Sequence, residues 1–493
     1  MSQEDKRNNI YDAGEFKTTH RLPRNLWTMA LTELWERFSF YGIQGILPFY
    51  LFFSHGKGGL DLGAPAAAGI VGAYGGAVYL AQLAGAWLGE RVMSPRSLVL
   101  WGGVVITLGH LALAIWPGLP GLGLGLMMIV FGTGALKTNI TSIVGFVLDD
   151  GNDTHRDIGF AYFYMAINIG AVVGPLSTGF VQNEMGFHWG FALAAVGMVA
   201  ALIQYMFSFN NLPERARIIS NPLPSRSLVM AITGVFVFSL AVGAVLWAGI
   251  IPFDRLSIVV TVTVLLAAAA YFIIILRAPN VSDEEKTRVK AFLPLFIAAS
   301  VYFGLLFQQF TSIAILISER VDLHIGDWQF PIAWVTMISQ LAAVIATPLL
   351  AAVWRGAGEG APGAPAKFAI GLFQIGLAYL LMLGIIWMFP DTGIPLLLII
   401  LVMIIAGSSE IFIGPIGLSL ATKIGPPVFR LHLVGLNFLT LALGASFSGL
   451  LGQLFAAVPN STYFIFVASI GGVLGWALWI PRKSLQTALN KGL

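Results

Sequence analysis

The chain of 493 residues contains no cysteine. This excludes disulfides, thiolate metal sites, a cysteine nucleophile and prenyl or palmitoyl anchors. Charge is nearly as scarce. Only 10% of residues are Asp, Glu, Lys or Arg, against about 25% in soluble domains. The seven histidines are scattered and form no His-Glu-x-x-His pair, so no metal and no cofactor is expected. What fills the chain is apolar: 57% of residues are hydrophobic, and the mean hydropathy is +0.82. A soluble chain of this length cannot hide so much apolar surface behind a polar skin. A soluble enzyme, a disordered protein and a nucleic-acid binder are thereby excluded, and the expected solvent is lipid. A pI near 9.0 follows from Lys and Arg in cytoplasmic loops, without need of an anionic partner.

Fourteen apolar spans of membrane-crossing length are expected, at 26–53, 67–89, 97–116, 121–147, 158–183, 187–209, 227–250, 256–276, 291–318, 328–354, 368–389, 393–422, 432–457 and 462–481. The fold class is therefore an all-α polytopic membrane protein. The positive charges support this map. Of the 27 Lys and Arg, 22 fall in the two termini and alternate loops, and the opposite loops hold only Lys57, Arg255 and Arg320. By the positive-inside rule both termini are cytoplasmic. The stretch from Met1 to Arg24 lacks an apolar core, so no cleavable signal peptide is expected.

The polar interruptions 210–226 and 277–290 bracket spans seven and eight, which read as an insertion between two six-span halves. The expected organisation is a cytoplasmic tail (1–25), a six-helix bundle (26–209), a linker with two extra helices (210–290), a second bundle (291–481) and a C-terminal tail (482–493). Two bundles about a central path are how many secondary transporters are built. The Gly-rich run GLPGLGLGL at 118–126 reads as close helix packing rather than a phosphate loop.

Five charges lie well inside spans: Glu33, Glu36, Arg37, Lys137 and Glu410. Each costs about 2.5–3.5 kcal/mol or more at a helix centre, so each marks a functional site by default. At 100° per residue Glu33, Glu36, Arg37, Tyr41 and Gln44 fall within an arc of about 140°. That face must line a polar cavity or another helix. Asn168 follows Tyr164 by one turn in the fifth span, and Gly407, Gly414, Pro415 and Gly417 loosen the helix around Glu410.

These residues resemble the proton-dependent oligopeptide transporter family of the major facilitator superfamily. The motif E-x-x-E-R is present as Glu33, Glu36 and Arg37. FYMAINIGA at 163–171, GALKTN around Lys137, LGH at 108–110, GFHWGFALAAVGM at 186–198, SSEIFIGPIGLSLATKIGP at 408–426 and GAWLGERVMSPRS at 85–97 follow in family order. The resemblance implies the superfamily fold, two bundles of six helices plus two inserted ones, and a proton-coupled importer of di- and tripeptides rather than an enzyme. It implies that Arg37, Tyr41 and Lys137 hold the peptide carboxylate, Asn168 and Glu410 surround its amino end, and Tyr79 lies in the same site. Glu33 and Glu36, with Arg37, are the implied proton-coupling group, and Lys137 with Glu410 an inner gate. The implied setting is a bacterial cytoplasmic membrane, with lipid, protons and peptide as partners and a monomer as the working unit.

The sequence departs from the family at several points. Gln44 stands where many members have arginine. Phe307, or its neighbour Gln308, replaces an acid of the seventh core helix. Ser339 replaces an asparagine, Asn437 a tryptophan, and Gly72 the histidine of animal members. The first two departures remove both charges of the usual outer gate, so that gate must close by other means. All five positions other than Gly72 remain candidates for the substrate site.

A short peptide is constant only in its charged ends and backbone. Arg37 with Lys137 and, opposite, Glu410 supply complementary poles, and a tripeptide spans about 10 Å at roughly 3.3–3.6 Å per residue. With all five groups ionised the set carries one net negative charge, which one proton neutralises. Other readings are a carrier of nitrate, a drug or an amino-acid derivative on the same scaffold, a passive channel or receptor, and an intramembrane enzyme. The last lacks any nucleophile and base in register.

Overall fold

The computed structural model describes residues 23–148, 153–224, 248–357, 360–391 and 393–492, with isolated positions between 225 and 247. Among the described residues the regular structure is helical, apart from two-residue β pairings at 321–329 and 394–395. Among the described residues twelve helices are long and apolar enough to cross a membrane. A further helix, α1 (Arg24–Phe52), has 29 residues. It spans about 43 Å at 1.5 Å per residue, but Glu33, Glu36 and Arg37 lower its hydropathy. The seventh expected span, 227–250, falls largely outside the described residues.

The helices that follow are α2 (Gly63–Arg91), α3 (Pro95–Ile115), α4 (Gly118–Val147), α5 (Asp153–Met185) and α6 (Phe187–Ser208). Beyond the linker come α7 (Leu256–Arg277), α8 (Asp283–Leu306), α9 (Ser312–Arg320), α10 (Ala333–Ala357) and α11 (Ala364–Met388). The last are α12 (Leu396–Ser408), α13 (Gly414–Ile424), α14 (Arg430–Ala457), α15 (Asn460–Trp479) and the amphipathic α16 (Arg482–Leu489). Local chemistry sets the ends. Pro23, Pro117, Pro395 and Pro459 precede helix starts. Ser282 and Glu285 form a reciprocal capping box at the start of α8.

Two expected spans are each broken in the middle. The span at 291–318 runs from α8 through a 3-10 turn at Phe307–Phe310 into α9. The span at 393–422 runs from α12 through a 3-10 turn at Ser409–Phe412 into α13. Non-helical backbone at membrane depth is tolerated where it is buried in protein or lines a cavity. Gly407, Gly414 and Pro415 flank the second break, as their helix-loosening chemistry leads one to expect.

Helices α1, α5 and α6 pack together, as do α2, α3 and α4, with α3 also against α6. In the second half α8 packs on α14, α11 on α15, and α10 on α12. The halves meet along α2 with α14 and α5 with α10, while α7 lies against α2 and α14. Small residues permit these approaches. A Cβ on Gly72 would stand 2.6 Å from the Cα of Gly449, and one on Gly109 2.8 Å from the carbonyl oxygen of Gly125. The second contact gives the Gly-rich run its packing role, since a larger residue would hold α3 and α4 apart.

At the end holding Phe52 and Ala333 the halves are closed. Pro48, Phe49, Phe52 and Val71 face Phe310, Ala314 and Ile315. Trp334 Nε1 donates to the carbonyl of Leu176 at 2.9 Å. This closure is apolar.

Candidate functional site

The site grows from one face of α1. Glu33, Glu36 and Arg37 are buried at 0%, 1% and 4% exposure. The Arg37 guanidinium forks onto Glu36, with Nε donating to Oε2 at 2.5 Å and a terminal nitrogen donating to Oε1 at 2.7 Å. The same Nε lies 3.5 Å from Glu33 Oε1. Arg37 also sits over the Phe40 ring, 4.6 Å from its centroid, and 5.9 Å from that of Tyr41. The planar fork fits a carboxylate, and the aromatic faces complement its charge.

Lys137, from α4, donates to Glu33 Oε1. The cluster is thus two ion pairs, Glu36 with Arg37 and Glu33 with Lys137. The resemblance implies an inner gate of Lys137 with Glu410; in the conformation seen here Lys137 is bound to Glu33 instead. Lys137 is held within its own half, because α1 and α4 are close neighbours while Glu410 belongs to the other half. The Glu410 carboxylate forms no ion pair or hydrogen bond among the described residues. It sits in the break between α12 and α13, partly buried.

Tyrosines bridge the space between the two poles. The charge of Glu410 reaches Tyr41, Tyr79, Tyr164 and Tyr302, and that of Arg37 reaches Tyr41 and Tyr79 as well. Tyr164 is 56% exposed despite this interior position. Asn168, one turn beyond Tyr164 on α5, is partly exposed.

The remaining candidates divide. Phe307 does join the site: its ring stacks on Tyr79, with centroids 6.3 Å apart and an interplanar angle of 12°. Gln44 is buried with no side-chain hydrogen bond among the described residues, one turn beyond Phe40 and Tyr41. Three others make structural contacts. Gln308 accepts from Tyr463 and Ser312 inside the second half. Ser339 donates to Gln309 and packs against Gly407. Asn437 places its Oδ1 against Gly417, where a Cβ would come within 2.7 Å. In a broken helix a neighbouring position points elsewhere than regular spacing predicts, which is why Gln308 turns from the cavity and Phe307 does not.

Two aromatic residues were missed. Phe40 is the ring under Arg37, and Tyr74 on α2 packs against Phe40. Both looked like ordinary apolar filling, and only their closeness to the charged pair distinguishes them.

Apolar crossing helices around buried, mutually paired charges define a multi-pass membrane protein built for moving polar solutes. The profile of the POT family matches residues 96–471. The chain is 33% identical over 470 residues to the uncharacterized transporter YclF of Bacillus subtilis, covering 95% of each protein. It is 31% identical over 483 residues to a di-/tripeptide transporter of Lactococcus lactis subsp. cremoris, covering 95% of this chain and 97% of the relative. Its fold superposes on a crystal structure of a mutant peptide transporter POT in complex with sulfate, with a TM-score of 0.90, 31% identity and full coverage of both chains. The chain belongs to the POT family, a family of transporters and not of enzymes.

Proposed function

We propose that this protein is a proton-coupled symporter that imports di- and tripeptides by alternating access. The observation that carries the reading is the arrangement of charge. Two cations, each held by its own carboxylate, lie at one pole, and an unpaired carboxylate lies at the other, with tyrosines between. A zwitterion with a variable middle is the solute that such a site complements. The Glu410 pole disfavours a simple anion such as nitrate.

Coupling follows from the pairs. While Glu36 and Glu33 are ionised, Arg37 and Lys137 are engaged internally. A proton on Glu36 or Glu33 frees a cation for the peptide carboxylate. In the opposite conformation Lys137, released from Glu33, becomes available to Glu410 and closes the inner gate. One charge moving through the membrane potential contributes about 2.3 kcal/mol per 100 mV, enough to concentrate a neutral peptide more than tenfold.

The reading includes fourteen membrane helices, the bundles 26–209 and 291–481 joined by the inserted pair in 210–290, and both termini in the cytoplasm of a bacterial cell. It includes a monomeric working unit. Arg37, Tyr41 and Lys137 take the peptide carboxylate, and Asn168, Glu410 and Tyr79 the remainder. The test is uptake of a di- and tripeptide panel into reconstituted vesicles, with and without an inward proton gradient. Gradient-dependent accumulation of peptides, and not of nitrate, is the expected result.

A further inference from the structure

Tyr74 sits among glycines on α2 and is 4% exposed. Its ring meets that of Phe40, with centroids 6.5 Å apart and planes inclined at 31°. Arg37 lies over the same Phe40 ring. The Tyr74 hydroxyl is buried and has no hydrogen-bond partner among the described residues. The charged groups it feels are Glu36 and Arg37, and Tyr79 lies within its reach on the side of the central cavity. No role assigned above uses this hydroxyl.

A buried phenol without a partner is uncommon, because nothing compensates the loss of its water. Its surroundings indicate the state in which it finds one. As the structure stands, Arg37 engages both oxygens of Glu36. If Arg37 turns to a substrate carboxylate, Glu36 is left in an apolar setting and takes up a proton. The neutral acid then presents an O–H that requires an acceptor. The groups that face Glu36 are Arg37, Glu33 and Tyr41 from α1, Lys137 from α4 and Tyr74 from α2. Among the described side chains, no charged group of α5 or α6 is one of them. Arg37 and Lys137 have no acceptor atoms, Glu33 is bound by Lys137 through Oε1 and keeps a buried, unpartnered Oε2, and Tyr41 lies on the side of Arg37 that faces Glu410. Two acceptors are left free, Glu33 Oε2 on the same helix as Glu36 and the Tyr74 oxygen across from it on α2, and removal of the Tyr74 oxygen separates them.

We propose that Tyr74 is a positioning residue of the proton-coupling site, its hydroxyl oxygen accepting the hydrogen bond of protonated Glu36 after Arg37 has moved to the substrate. This rests on the symport reading above. The empty bond of the present state is then one formed in the loaded, protonated state. It favours that state without weakening the resting pair.

The test is Tyr74→Phe, which keeps the ring and its contact with Phe40 and removes one oxygen. In reconstituted vesicles the pH profile of gradient-driven dialanine uptake should move toward acid by about one pH unit, the worth of one hydrogen bond. Peptide counterflow at equal pH should persist. A second readout does not depend on transport: proton uptake on dialanine binding to the purified protein, from calorimetry in buffers of differing ionisation heat, should show the same acid shift. An idle hydroxyl would leave both profiles in place and at most raise the melting temperature of the variant, and that outcome overturns the proposal alone. Wild-type protein that binds dialanine without taking up a proton, or Glu36→Gln protein that still takes one up with the wild-type profile, would overturn the coupling reading and this proposal with it.

Discussion

Lys137 is bound to Glu33 and not to Glu410. Both cations of the site are therefore held by carboxylates of their own half, and an incoming peptide carboxylate competes with internal anions for each. The lone Glu410 across the cavity has no such rival. The two poles thus differ in what their removal does to the protein.

Lys137→Ala strands Glu33 in a buried site. Removing one partner of a buried pair typically costs about 3–5 kcal/mol, so this variant should melt below the wild type unless Glu33 takes a proton at acid pH. Glu410→Ala breaks no ion pair and should melt close to the wild type. Both should abolish gradient-driven peptide uptake. Thermal melts beside uptake assays separate the effects, and a stable Glu410→Ala protein with normal uptake would remove the amino-end role of that residue.

Blocking the peptide carboxylate should act like loss of the cationic pole. Methyl esters of dipeptides should compete poorly against the free peptides for uptake. Equal competition by ester and free acid would contradict the assignment of Arg37 and Lys137 to the carboxylate.

The absence of native cysteine makes topology easy to probe. Single cysteines placed in the turns at 118–121, 252–255 and 459–461 should react with an impermeant maleimide in intact cells. Those in the 355–367 segment should react only after lysis. Labelling of 355–367 from outside would contradict the cytoplasmic termini.

Beside the apolar closure α2 and α14 approach closely, with Gly449 against Ala68 and Gly72. Gly72→Val would place side-chain atoms where Gly449 and Ser257 now stand, and overpacking of this kind costs about 1–3 kcal/mol. The variant should disfavour the state closed at this end, so a cysteine at Ala68 should become more reactive from outside while peptide uptake falls. Unchanged reactivity would show that the contact is not part of the gate.

The sequence made the helices legible because lipid imposes a simple rule: long apolar runs with charge between them. It made the E-x-x-E-R face legible because several polar residues at helical spacing are costly in lipid. Two things were hidden. The break at Phe307–Phe310 carries no proline or glycine, so regular spacing could not show that Phe307 faces Tyr79 while Gln308 faces Tyr463. The partner of Lys137 was hidden too, because Glu33 and Glu410 are equally suitable anions by charge alone, and only packing brings α4 to α1. Tyr74 shows the same limit, since an unpartnered hydroxyl is visible only once its surroundings are.

The central claim is that a proton on the Glu33–Glu36–Arg37 cluster is what couples peptide movement to the gradient. The most direct measurement is the ratio of peptide counterflow to pH-driven accumulation in reconstituted vesicles, for the wild type, Glu36→Gln and Glu33→Gln. Glutamine mimics the protonated acid and leaves nothing to titrate. In at least one of the two variants counterflow should survive while accumulation is lost, so the ratio should rise steeply. A ratio equal to that of the wild type in both, with counterflow and accumulation falling together in proportion to folded protein, would mean that the cluster only braces α1 and that the proton is carried elsewhere.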